Sequence, residues 1–181
     1  MTFLLFPDNT VLVNFAHISR VELLEDLLSG HGGWTATIAE ECARSARTTG
    51  LADLESVRHF LGTPLRPDRA ERVTTHLIRA RLARTVDKPT DHLGEAEAFA
   101  IITSRVITAI FITDDVAATR LAISLGIRTM STGELLKLAV HTKRLSVDDA
   151  WAHIEDLWAK GRTLPHCPLT LGQFRRWCAL E

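Results

Sequence analysis

The chain has 181 residues, 46% apolar and 24% charged, with a formal net charge of −1. That length suits one domain with a real core and a small terminal appendage. Near-neutrality excludes a global basic field drawing the chain to nucleic acid or membrane, so any such contact must come from a local patch. Three cysteines, Cys42, Cys167 and Cys178, lack CxxC or Cys/His ligand spacing. They argue against a disulfide scaffold or structural zinc and for free thiols in a reducing compartment. The N-terminus has no basic segment and meets Asp8 too early for a signal peptide. No stretch approaches the ~20 apolar residues of a membrane span. A cytoplasmic protein with no membrane partner is expected.

In chain order, residues 2–7 read as a buried strand ended by Pro7-Asp8-Asn9. Val11 to Leu28 keeps helical spacing until Ser29-Gly30 stops it. Trp34 to Ile38 reads as a second strand, and Ala39 to about Thr48 as a helix. Residues 51–86 are helical in pattern and rich in arginine, with breaks at Pro64 and Pro67, and residues 87–94 form a loop. A helix over 94–106 leads to a strand at 109–113, a helix over 115–125 and a strand at 127–130. Ser131 or Thr132 caps the next helix, to about His141. Ser146 opens another, through Lys160, and a short terminal helix carries Phe174 and Trp177. Strands alternating with helices predict an α/β fold: a parallel sheet covered on both faces, with its strand C-termini at one edge. Ligands bind at that edge in open α/β sheets.

Carboxylates gather at this edge: Asp8, Glu40/Glu41, Glu95/Glu97 and Asp114/Asp115. Counting i+3, i+4 and i+7 from Glu95 meets Ala98, Phe99 and Ile102, and i+11 meets Val106. From Glu97 the face is more mixed, so Glu95 is preferred. The same count favours Asp114 over Asp115 as the inward residue, whereas Glu40 and Glu41 stay unseparated. The plain alternatives are an N-cap for Asp114, a turn residue for Asp8 and a solvated helix end for Glu40/Glu41. Together these groups are hard oxygen ligands suited to Mg²⁺ or Mn²⁺, and without a cation they repel one another and hold raised pKa values.

These segments resemble those of the PIN-domain family. Pro7-Asp8-Asn9-Thr10 resembles its first motif, and Thr37-Ile38-Ala39-Glu40-Glu41 its second. Gly94-Glu95-Ala96-Glu97-Ala98 resembles a Gly-Glu-x-x-Ala form of the third, where many relatives carry Asp, and Ile112-Thr113-Asp114-Asp115 the fourth. Ser131-Thr132-Gly133-Glu134 is similar to the Thr-Gly segment of one PIN subgroup. The resemblance implies a three-layer α/β/α domain over residues 1–160 with a short, mainly parallel sheet, and residues 161–181 as an extension packed on it or on a partner. It implies a Mg²⁺- or Mn²⁺-dependent ribonuclease, possible in two forms: a housekeeping nuclease or a VapC-like toxin with an antitoxin partner. Asp8, Glu41, Glu95 and Asp114 would be its acidic set, with Asp115 rivalling Asp114, and a homodimer is expected. A catalytically silent module binding RNA or protein is the alternative.

Arg44, Arg47, Arg58, Arg66, Arg69, Arg72, Arg79, Arg81 and Arg84 crowd the middle third. They read either as a solvated helical face or as an RNA-contacting rim. Trp34, Trp151, Trp158 and Trp177 read as packing anchors. His17 follows the first motif and could approach the site, with a surface or packing role the preferred reading.

Overall fold

The computed structural model describes residues 3–83 and 85–179; Thr2, at the head of the predicted first strand, and Arg84 lie outside them. β1 (Leu4–Pro7) leads into α1 (Asn9–His17) and α2 (Val21–Leu28). The single helix predicted over 11–28 is therefore two. Ser19 has φ 54°, where a right-handed helix cannot continue. Both halves bury residues in the same core, Phe15 from one and Leu24 from the other, so the spacing ran through the break unnoticed.

The strand predicted over 34–38 is also corrected. Thr35 makes only an isolated parallel bridge to Leu65, and its hydroxyl accepts from the Ile38 N–H to cap α3 (Ala36–Ser45). A β-branched residue here serves a cap instead of a ladder. A 3₁₀ turn (Ala52–Ser56) and α4 (Val57–Leu61) precede α5 (Arg69–Leu82), which opens on a capping box of Asp68 and Glu71. Next come α6 (Leu93–Ser104), β2 (Ala109–Ile112), α7 (Val116–Ser124), β3 (Arg128–Met130), α8 (Thr132–His141), α9 (Val147–Ala159) and α10 (Leu171–Ala179). α6 stops short of the predicted end: Val106 turns back at φ 53° and is exposed, so it belongs to no apolar stripe.

The three strands lie in the order β1-β2-β3, all parallel, with Pro7 opposite Ile112 and Ile112 opposite Met130. Helices cover both faces, a three-layer α/β/α arrangement. The shared direction brings Asp8, Thr113 to Asp115, and Ser131-Thr132 to one edge. Phe6, Phe99 and Phe111 are fully buried, and Phe99 of α6 meets Phe111 of β2 edge to face with ring centroids 4.8 Å apart. Beyond α5, Arg105 donates from Nε and Nη2 to Glu71 at 2.7 and 2.8 Å, pairing that buried carboxylate. At the other end, α10 packs on α8 and α9 through Phe174, which lies within 5.8 Å of the Trp151 ring and 5.9 Å of Trp177. Trp34 donates to the Gly62 carbonyl at 2.9 Å. Cys42, Cys167 and Cys178 are free and buried; burial pushes the first two thiols up to about 11 and about 12, and raises the third. Among the described residues no helix is long and apolar enough to cross a membrane.

The aromatic contact between α6 and β2 seats the helix that carries Glu95. Phe99→Ala is expected to cost about 3–5 kcal/mol of unfolding free energy, measured by urea denaturation.

Candidate active site

Asp8 is placed by both sheet and helix. Its N–H donates to the Ile112 carbonyl at 2.9 Å, extending the β1–β2 ladder. Its Oδ1 accepts from the Val11 N–H at 2.8 Å, capping α1, and its Oδ2 accepts from the Thr113 hydroxyl. Asp8 is thus the turn residue that its local sequence suggested, and it is also a helix cap and buried. Burial, followed by the charges of Glu95 and Asp114, holds its carboxyl well above the usual range; the two hydrogen bonds work the other way.

α3 and α6 bring two more carboxylates alongside. Glu40 is exposed, whereas Glu41 is half-buried and pushed up to about 7, first by burial and then by the charge of Glu95, with Arg44 opposing. Glu95 is raised chiefly by burial. Asp8, Glu41 and Glu95 line one cleft of about 290 Å³ with Arg44, Thr90 and His92. Gly94 makes this approach possible: a Cβ there would lie 2.9 Å from Glu41 Oε2 and 3.1 Å from Ile38 Cγ1. Glu97 is more buried than Glu95 but accepts from the N–H and hydroxyl of Thr37, both at 2.9 Å. It staples α6 to the start of α3 and does not line the cleft. Helical counting could not have separated Glu95 from Glu97 soundly, because α6 buries Gly94 and everything from Ala96 to Ile102.

Asp114 and Asp115 take different roles. The N-cap is Asp115, whose Oδ1 accepts from the Ala118 N–H at 2.7 Å. Asp114 is buried: Oδ1 accepts from the Thr132 N–H at 2.9 Å, and Oδ2 accepts from Asn14 Nδ2 at 2.8 Å and from the Thr132 hydroxyl. Burial raises its carboxyl, while Thr132, Arg162 and Asn14 pull it back. Asp114 and Asp115 line a neighbouring recess of about 330 Å³ with Arg162, and Thr10 lines both recess and cleft. Although the five carboxylates thus occupy two adjoining hollows, charge couples them: Asp114 acts on Asp8, and Asp115 on Glu95.

Asn14, Thr113, Thr132 and Arg162 are participants that sequence reasoning missed. Thr132 was findable, since it lies two residues past β3 as Asp114 lies two past β2. A fully buried Asn14 on the apolar α1 was a weaker signal. Arg162 had none. His17 lines neither hollow, and burial, then Arg162 and Lys160, lower its pKa. Of the arginine run, Arg44 reaches the cleft. Arg79 instead donates to the Lys88 and Asp91 carbonyls, fixing the loop that carries Thr90 and His92, and Arg72 binds the Pro67 carbonyl.

A family model described as "PIN domain" matches residues 6–166. The chain belongs to the PIN-domain family. No curated protein and no solved structure matches it. PIN domains are generally nucleases, and the matched span of this one includes both hollows.

The PIN cleft concentrates carboxylate oxygens, with Arg44 and His92 on its wall. Oxygen donors of this kind fit a hard divalent ion, Mg²⁺ or Mn²⁺, better than zinc. Among the described residues, no three His, Cys, Asp or Glu side chains already converge into a ligand cage.

A carboxyl raised in the folded state keeps a proton that the unfolded chain has released. Between the two values, stability falls as pH rises. For Glu41 that window runs from its ordinary 4.5 to about 7. In EDTA, the Tm of the parent relative to Glu41→Gln is expected to drop across that window and to level above it, followed by scanning calorimetry.

Proposed function

We propose that this PIN domain is a metal-dependent ribonuclease that hydrolyses RNA phosphodiester bonds. Mg²⁺ or Mn²⁺ would be held by Asp8, Glu41, Glu95 and Asp114, with Asp115 at the rim. The observation that carries this is the meeting of Asp8, Glu41 and Glu95 on one cleft at the sheet's C-terminal edge, each with a raised pKa. A divalent ion bound there would activate water and stabilise charge on a phosphodiester.

The chain's own residues supply orientation. Asp8 is locked by Val11 and Thr113, and Asp114 by Thr132 and Asn14, so neither carboxylate reorganises when charge develops nearby. Without a metal ion Glu41 is pushed up to about 7, and it would give up that proton on ligating a divalent ion as a carboxylate. Arg44 sets a positive charge at the cleft wall, where a phosphate would sit. The finer proposal is a cytoplasmic, homodimeric toxin of a type II toxin–antitoxin pair, with an antitoxin as partner. Its support is the resemblance of the motif segments to PIN domains, many of which are VapC-like toxins.

Asp8→Asn and Glu95→Gln should each lower kcat/KM on single-stranded RNA in Mn²⁺ by roughly 100-fold or more, with Tm nearly unchanged. Cleavage by Asp8→Asn at the parental rate would sink the proposal. RNA binding without any cleavage by the parent would favour a silent binding module. Gly94→Ala should push Glu41 aside and weaken Mn²⁺ binding about tenfold by calorimetric titration, while leaving the fold in place.

A further inference from the structure

Arg162 has no part in the acidic set, yet the fold holds it firmly beside it. Its backbone is fixed by the end of α9. Gly161 adopts φ 73°, a conformation open to glycine, and donates to the Trp158 carbonyl at 2.8 Å. The Arg162 N–H then donates to the Leu157 carbonyl at 2.9 Å. Two residues on, Leu164 is buried and anchors the segment.

Among the described residues the side chain is held at one point. Nε donates to Asn14 Oδ1 at 2.6 Å. Asn14 is fully buried, and its Nδ2 donates to Asp114 Oδ2 at 2.8 Å and to the Thr132 hydroxyl at 3.2 Å. A continuous chain of hydrogen bonds therefore orients the guanidinium from the β2 and β3 strand ends. An arginine serving only to neutralise Asp114 would pair with it directly. Here Asn14 stands between them, and among the described residues no hydrogen bond or ion pair engages Nη1 or Nη2. The half-buried guanidinium faces a recess shared with Thr10, Asp114 and Asp115. A pre-oriented guanidinium with its outer nitrogens unengaged matches a tetrahedral oxyanion, which it can bind through two parallel hydrogen bonds.

We propose that Arg162 binds a phosphate of the RNA strand, next to the one cleaved, as the strand passes over Thr10 from the cleft into the recess. The contact rests on the neighbouring cleft being the RNA-cleaving site, and it assigns the segment after α9 to substrate binding.

The test uses the full chain and a short fluorescent single-stranded RNA, with anisotropy read in EDTA over a salt series. Arg162→Ala should weaken binding about tenfold and reduce the slope of log K against log salt by about 0.7, the value for one lost single-strand phosphate contact. Arg162→Lys keeps the charge and loses the fork, so it should restore the slope and only part of the affinity. Arg175→Ala, which removes a charge at an exposed pair with Asp148, should change neither. A purely structural arginine would lower Tm and leave the salt slope untouched, and that result would overturn the proposal. If Arg162→Ala does not fold, Arg162→Lys decides: parental affinity overturns it. A parent that binds RNA in an Arg162-dependent way but never cleaves it in Mn²⁺ would remove the nuclease function and leave this contact standing. A parent that cleaves RNA while Arg162→Ala binds it as tightly, with the same slope, removes the contact alone. A parent that neither binds RNA in EDTA nor cleaves it in Mn²⁺ removes both.

Discussion

Asp8 donates its backbone N–H to Ile112 and accepts the hydroxyl of Thr113, both on the neighbouring strand system. That last rung of a parallel ladder sets the spatial relation between residues more than 100 positions apart in the chain. Were β1 and β2 antiparallel, Asp8 and Asp114 would sit at opposite edges of the sheet. Because they run together, the peptide bonds following each strand turn at the same level. The helices α1, α7 and α8 then all begin where the carboxylates lie. Each helix start presents unpaired N–H groups and the positive end of its dipole. Asp8, Asp115 and Ser131 occupy the three caps.

Capping and ligation are often treated as rival explanations for an acidic residue at a strand-to-helix junction. Asp8 shows that they are compatible. A cap hydrogen bond fixes one carboxylate oxygen and leaves lone pairs on both, so it fixes the orientation that a ligand needs. Asp114 is fixed differently, by Thr132 and Asn14, and Asp115 takes the cap beside it. The adjacent pair thus divides two tasks that one residue performs at Asp8. Opposing these bonds is desolvation, which dominates every raised carboxyl of the site. The near-neutral charge of the whole chain hides this local excess of acid completely.

The strands and the acidic edge were readable in the sequence because buried parallel strands are short continuous apolar runs ending in polar turns. β2 and its following helix needed nothing more. Reading failed where two elements share one core: α1 and α2 kept a common spacing across Ser19. It failed again at Thr35, where a side chain that looks like strand material caps a helix. α6 shows the limit of periodicity itself, since a helix buried nearly all round has no face to count. Glu97 is set apart from Glu95 by Thr37, a partner 60 positions away. Asn14 and Arg162 are 148 positions apart, and no local pattern connects them.

The three cysteines have a consequence of a different kind. Each thiol is buried and its pKa raised, so at neutral pH it is overwhelmingly the unreactive protonated form. They lie in α3 next to Glu41 in the chain, in the segment after α9 where Cys167 packs against Gly133 and feels the charge of Asp114, and in α10. The folded molecule therefore keeps its cysteine thiols protonated and shielded from electrophiles. Each cysteine becomes a nucleophile only when its own neighbourhood opens, which makes the trio an intrinsic set of position-resolved clocks for local unfolding.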